Sequence, residues 1–202
     1  VNKEFLNDSI IHEINNILDT GNYGIYNNDN NRSTLLYSAF CRIVSSYEYL
    51  KHKKFPNTEE LVILYMNYCC IMIDAINICL STCNIERIDT HNYFKDISLN
   101  KLKIPEEMYK NDEMFFEFFR SLVFAHPIDT DRSLPINKKN KIKYYAPYVL
   151  FNDNKKSFGV MVFNQEMSLI SLVIELESLK GFVNENFERL NEIIRKIVGK
   201  DK

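Results

Sequence analysis

Residues 61–80, LVILYMNYCCIMIDAINICL, are the stretch on which the fold turns. A run of this length is enough to cross a bilayer. It carries Asn67, Asp74 and Asn77, however, and an acid near the centre of a helix is costly in hydrocarbon. The stretch therefore reads as the central, largely buried helix of a bundle, with no membrane involved. Asn57 followed by Glu60 has the spacing of a capping box, which predicts a helix from about Thr58 to Cys83. Buried in such a helix, Asp74 needs a partner, and a cation from a neighbouring helix would serve.

Working outward, the residues before this helix supply two more. Leu6, Ile10, Ile14 and Ile17 recur at helical spacing and predict a helix over about 4–18. Residues 19–32, DTGNYGIYNNDNNR, hold two glycines in an Asn/Asp cluster and read as a loop. Ser33 is placed to cap a second helix reaching about His52, with Leu36, Phe40, Ile43, Tyr47 and Leu50 as its apolar stripe. The basic tip at its end, Lys51, Lys53 and Lys54, reads as compensation of the helix dipole on a solvated end.

After the central helix the pattern loosens over 84–105, where a short helix around Tyr93 is expected within loop. From about Asn111, DEMFFEFFRSLVFAH forms a helix whose Phe115, Phe118, Phe119 and Leu122 make a core stripe. KYYAPYVLF, the turn NDNKK and SFGVMVF then predict a β-hairpin over about 143–163, with Pro147 confining its strand to an edge. From Gln165 to Val198 the apolar positions Leu169, Leu172, Leu176, Leu179, Val183, Phe187, Leu190, Ile194 and Ile197 keep near-heptad spacing. They predict a long C-terminal helix, divided at most at Gly181, that can supply a dimer seam. The expected fold is thus mainly α: a helical bundle with an inserted hairpin and a long C-terminal helix, in one domain spanning 1–202.

Composition agrees with this and narrows the function. The chain has 202 residues, 46% of them hydrophobic, enough for one sizeable core, and only five glycines and five prolines, too few for an all-β chain. A net charge of −2 excludes a global basic field, so any nucleic-acid contact must come from a local patch. Five cysteines at 41, 69, 70, 79 and 83 lie in apolar helical patterns without a disulfide-scaffold spacing, which points to a reduced, cytoplasmic protein. Cys79 and Cys83 would share a helix face, yet no matching Cys or His pair completes a zinc site, and neither metal nor cofactor is implied. Val1 in place of methionine is the start expected of a processed or excised chain, and no stretch has the form of a secretory signal.

One arrangement can do chemistry. RSLVFAH, residues 120–126, sets a permanent cation and an imidazole near a helix end, and Pro127 follows at once. Proline disfavours the α conformation in the residue before it, so His126 falls at the helix terminus. The carbonyl-rich end favours the protonated ring. Six positions apart, Arg120 and His126 point about 120° away from each other on an ideal helix. A site using both needs an unwound helix end or a second copy of the motif. Glu117, three residues earlier, offers Arg120 an ordinary helical ion pair.

Arg120, Ser121, LVFA and His126 resemble the Arg-x4-6-His motif of HEPN-domain proteins, an all-helical, commonly dimeric family. The resemblance implies a metal-independent endoribonuclease of the toxin or phage-defence type, built as a homodimer and held in check by an antitoxin or regulatory partner. In that role Arg120 clamps phosphate oxygens and His126 moves the proton. Ser121 stands where active members often carry Asn, Asp or His, and Ile128 where some carry a modified tyrosine. Ser121, Arg132, Lys138, Lys139, Lys141 and Lys143 are the expected substrate-binding residues. The lysines flank the hairpin tyrosines in a pairing that also suits single-stranded RNA. Asp129 and Asp131 read more simply as turn caps than as partners of the imidazole. A catalytically silent helical module, and an RNA-binding domain without turnover, are the competing readings.

Overall fold

The computed structural model describes residues 4–52, 57–90, 92–94, 109–125, 144–152, 156–164 and 169–199. These are mostly helical, with one small antiparallel sheet. They divide into two compact units, one drawn from Val1–Lys54, Asn67–Ile88 and Val183–Lys202, the other from Phe55–Met66 and Asp89–Phe182.

In the first unit, α1 (Asp8–Thr20) begins after Asn7, whose side chain accepts a hydrogen bond from the Ser9 N–H at 3.0 Å. Ile10, Ile11, Ile14 and Ile17 are buried, so the isoleucine stripe faces the core as its spacing predicts. A 3-10 turn, Gly24–Tyr26, leads to α2 (Asn30–His52). Its start lies three residues before Ser33. The Asp29 carboxylate takes the N–H groups of Asn31 and Arg32 and its carbonyl takes that of Ser33, so Asp29 is the cap. Leu36, Phe40, Ile43, Tyr47 and Leu50 are all buried.

The central stretch is α3 (Glu59–Thr82), and Thr58 rather than Asn57 caps it, accepting from the Leu61 N–H at 3.3 Å. Asn84, at φ 51°, ends it in the left-handed conformation that asparagine tolerates better than most residues. Half of its most apolar window is buried within the protein. Cys69, Met72, Ile76, Cys79, Leu80 and Cys83 are fully covered, while Asn67, Asp74 and Asn77 are half-buried. By length and composition alone α3 is the one described helix able to cross a membrane.

The second unit contains α4 (Asp112–Arg120), a π-helical turn at Ser121–Ala125, and three strands, β1 (Tyr144–Asn152), β2 (Ser157–Asn164) and β3 (Leu169–Glu175). Strand order is β1-β2-β3, both pairs antiparallel. The predicted hairpin is present, and its register shifts between Tyr145 and Tyr148, where Pro147 lies in an edge strand. That is where a residue without an N–H disturbs the ladder least. Phe115, Phe116, Phe118, Phe119, Phe158 and Phe182 are at most 1% exposed, so the aromatic cluster of α4 fills a core.

The long C-terminal helix is not formed. Residues 169–175 are the third strand, with Leu172 and Ile174 buried opposite Val160 and Phe158 while Ser171, Val173 and Glu175 face outward. Leu169, Leu172 and Leu176 satisfy a heptad, but the intervening Ile170 and Ile174 give a competing period of two, and pairing with β2 decides for it. Helix follows only in α5 (Leu176–Glu188) and α6 (Leu190–Val198). The break comes at Arg189. Gly181 sits inside α5 because a Cβ there would lie 2.3 Å from the Tyr93 ring.

Lys51, near the end of α2, is also not the solvated residue that its charge suggests. It is only 18% exposed and its ammonium reaches Asp8 at 2.7 Å, Glu4 at 2.8 Å and the carbonyls of Leu6 and Phe5 at 3.0 and 3.1 Å. Lys53 and Lys54 lie outside the described residues. The Tyr47 hydroxyl donates to the same Asp8 carboxylate at 2.6 Å.

This cluster has a defined pH signature. The hydrogen bond from Lys51, then that from Tyr47, lowers the Asp8 pKa, so its contribution to stability is full above about pH 4 and is lost as pH falls through the lowered value. Burial opposes the charge on Lys51, but the bonds to Asp8 and Glu4 outweigh it and raise its pKa. Burial, then donation to Asp8, pushes Tyr47 up to about 12. Both groups contribute fully below about pH 10 and lose that contribution as pH rises through their raised values. Thermal midpoints should therefore form a plateau with a falling limb on each side. In Lys51→Met both limbs should flatten, and limbs indistinguishable from wild type would contradict the linkage.

Candidate functional site

Two residues of the RSLVFAH motif can be followed in detail. Asn111 caps α4 by accepting from the Met114 N–H at 2.8 Å, and the helix then runs for nine residues to Arg120. Apolar residues fill the helix faces turned inward, leaving Glu117 exposed and Arg120 half-buried. Arg120 Nη1 lies 3.5 Å from Glu117 Oε1, the i,i+3 pair that the spacing predicts. A partly solvated pair of this kind contributes roughly 0.5 kcal/mol.

Ser121 is 5% exposed, and its hydroxyl donates to the Phe118 carbonyl at 2.7 Å. Its backbone N–H is shared among the carbonyls of Glu117, Phe118 and Phe119. Both groups are thus engaged where the α-helix widens into the π-helical turn, and the side chain fixes the backbone just beyond Arg120. π-Helical turns recur at functional sites because the extra residue re-aims the side chains that follow. His126, Arg132, Lys138, Lys139, Lys141 and Lys143 lie outside the described residues, as do Ile128, Asp129 and Asp131.

Residue Asp112, to which the sequence assigns no role, organises the base of α4. Its carboxylate is 2% exposed. One oxygen accepts from the Thr90 hydroxyl at 2.7 Å and the Asn92 N–H at 2.8 Å, the other from the N–H groups of Phe94 and Tyr93 at 3.0 and 3.2 Å. The Asp112 N–H returns a bond to the Thr90 carbonyl at 2.9 Å. Three successive amides converge on one carboxylate, which fixes Tyr93 and Phe94 against Phe182 and Phe115. An acid in the first turn also suits the helix dipole. The donors lie 18–22 residues away, so no local spacing marks them.

The cysteine pair is packed in the core. Cys79 and Cys83 are buried, and burial raises both thiols, for Cys83 against the lowering effect of a Tyr26 hydrogen bond. Among the described residues no three His, Cys, Asp or Glu groups come together in a metal-binding arrangement. An open cleft of about 360 Å³ in the first unit is lined by Leu18, Gly21, Tyr23, Asn27, Ser33, Thr34 and Tyr37. None of these is a predicted site residue.

Comparison of the chain with protein-family models, with curated proteins and with solved structures finds no match in any of the three.

Proposed function

We propose that this chain is a HEPN-like, metal-independent endoribonuclease acting in a toxin or phage-defence role, with Arg120 binding phosphate and His126 as general acid and base. The observation that supports the reading is the position of Arg120. It is the last residue of α4, 29% exposed, and it opens into the π-helical turn that carries the chain toward His126. In this reading Glu117 holds the guanidinium until a phosphate displaces it, and Ser121 positions the turn from inside. Arg120 then presents a bidentate fork to the phosphate oxygens, while His126 takes the proton from the ribose 2′-hydroxyl and returns one to the leaving oxygen. The reading extends to a cytoplasmic homodimer with one motif from each copy, to RNA contacts by Arg132, Lys138, Lys139, Lys141 and Lys143, and to an antitoxin or regulatory partner.

A second reading is favoured by two specific contacts, the Glu117–Arg120 pair and the inward bond of Ser121. Here the motif secures a helix end in a catalytically silent helical interaction module. One experiment separates the two. Wild type should degrade single-stranded RNA in a chelator, and Arg120→Ala and His126→Ala should each lower the rate by at least about 100-fold with circular dichroism unchanged. Glu117→Gln should leave cleavage intact or faster. Absence of wild-type cleavage, or full activity in both alanine variants, would reject the ribonuclease.

A further inference from the structure

The first residues described carry a backbone feature that the fold alone does not require. Leu6 has φ 54°, a left-handed conformation that costs free energy for a residue with a branched side chain, and yet its side chain is fully buried. Non-glycine residues persist there only when their surroundings hold them from several sides. The Leu6 N–H donates to Asn184 Oδ1 of α5 at 2.7 Å, and its carbonyl accepts from Lys51 of α2 at 3.0 Å. Lys51 also takes the Phe5 carbonyl and the Glu4 and Asp8 carboxylates. Four oxygens thus share three ammonium protons.

The backbone hydrogen bonds of helix α1 do not depend on Glu4–Leu6, although its first residue, Asp8, shares the Lys51 ammonium. Its cap, Asn7, lies at φ −60° and ψ 121° and bonds forward to Ser9 within the same turn. Release of Glu4–Leu6 therefore costs α1 no hydrogen bond of its own, and it relieves the strain at Leu6. We propose that Glu4–Leu6 is a latch that opens as a separate unit, with Asn7 as its hinge, Lys51 as the catch and Asn184 as the opposing hook. Opening empties a fully buried seat in the first unit without unfolding the helices around it. The groups that face the catch are Glu4 and Asp8 from the N-terminal side and Tyr47 from α2, whose ring lies 6.0 Å from the ammonium. His52, whose ring lies beside Tyr47, and Glu48, 3.6 Å from His52, also stand near the cluster.

The test is amide hydrogen exchange on the full chain. In wild type the Leu6 amide should exchange slowly, though faster than amides in the middle of α1 and α2. In Lys51→Met its protection should fall at least about 100-fold while Ile14 and Phe40 keep theirs. Unchanged protection at Leu6, or a parallel loss at all three amides, overturns the latch. Should Lys51→Met not fold, the double variant Glu4→Gln, Asp8→Asn weakens the catch without touching a buried side chain. It should lower protection at Leu6 alone by at least about tenfold, and a parallel loss or none overturns the proposal equally.

Discussion

Replacing Asp112 by alanine should destabilise the second unit by about 4 kcal/mol, because three backbone N–H groups and a hydroxyl lose their acceptor at once. Hydrogen bonds to a charged group contribute about 1.5–3 kcal/mol each, and the more exposed donors recover part of that from water, so the sum falls well below four full bonds. For a chain of this size the loss corresponds to about 10 °C in thermal midpoint. The conservative change Asp112→Asn should cost about half as much. The amide it introduces can face the Thr90 hydroxyl, which is able to reverse and accept, but the Asn92 N–H beside it then has no acceptor. Denaturation of both variants, followed by near-ultraviolet dichroism of the tyrosines, gives the measurement. An alanine variant within about 1 kcal/mol of wild type would mean that the turn at 92–94 does not rely on the carboxylate.

The helices are legible in the sequence because their signals are long and redundant. Five positions in α2 and the isoleucines of α1 repeat at one period over several turns, and no rival pattern fits them. Caps are less secure, since Asp29 and Ser33, or Asn57 and Thr58, are equally good acceptors a few residues apart. The structure chooses the one whose oxygen meets the first free N–H groups. β3 is hidden because Leu169 and Leu172 within it and Leu176 just beyond it, three and four apart, satisfy a helix while its seven residues also satisfy a strand. Only the presence of β2 beside them resolves it, and that is not local information.

Charge misleads where it is counted and not located. Lys51 belongs to a basic run and so reads as solvated, whereas its partners Glu4, Phe5, Leu6 and Asp8 lie more than forty residues upstream. Asp112 deceives in the same way and in the opposite sense, as an acid at a helix start that is in fact the acceptor for a distant turn. By contrast the Glu117–Arg120 pair is legible because it is set by helix geometry alone. The motif is thus half local and half tertiary. Its arginine, helix and nearest acid follow from spacing, while what stands opposite them does not.

Gly24→Ala should have the second large effect, and its cause is different in kind. Gly24 begins the 3-10 turn at φ 58°, where any side chain costs about 1 kcal/mol or more. A Cβ built there would also stand 1.8 Å from the Ile197 carbonyl oxygen at the end of α6. A flexible side chain in that place would simply rotate aside. Backbone cannot, and the turn and α6 must separate, which adds about 1–3 kcal/mol of overpacking. The separation also loosens Tyr26, the buried last residue of the turn, whose hydroxyl donates to the Cys83 carbonyl at 3.5 Å. A total of about 3 kcal/mol is expected, read as a lower urea midpoint with an unchanged slope. Gly21→Ala supplies the control, because that residue has a similar φ of 61° but nothing within 4 Å of its Cβ. It should lose only the conformational part, about 1 kcal/mol. Equal losses in the two variants would mean that contact with α6 contributes nothing and that the left-handed backbone alone sets the cost.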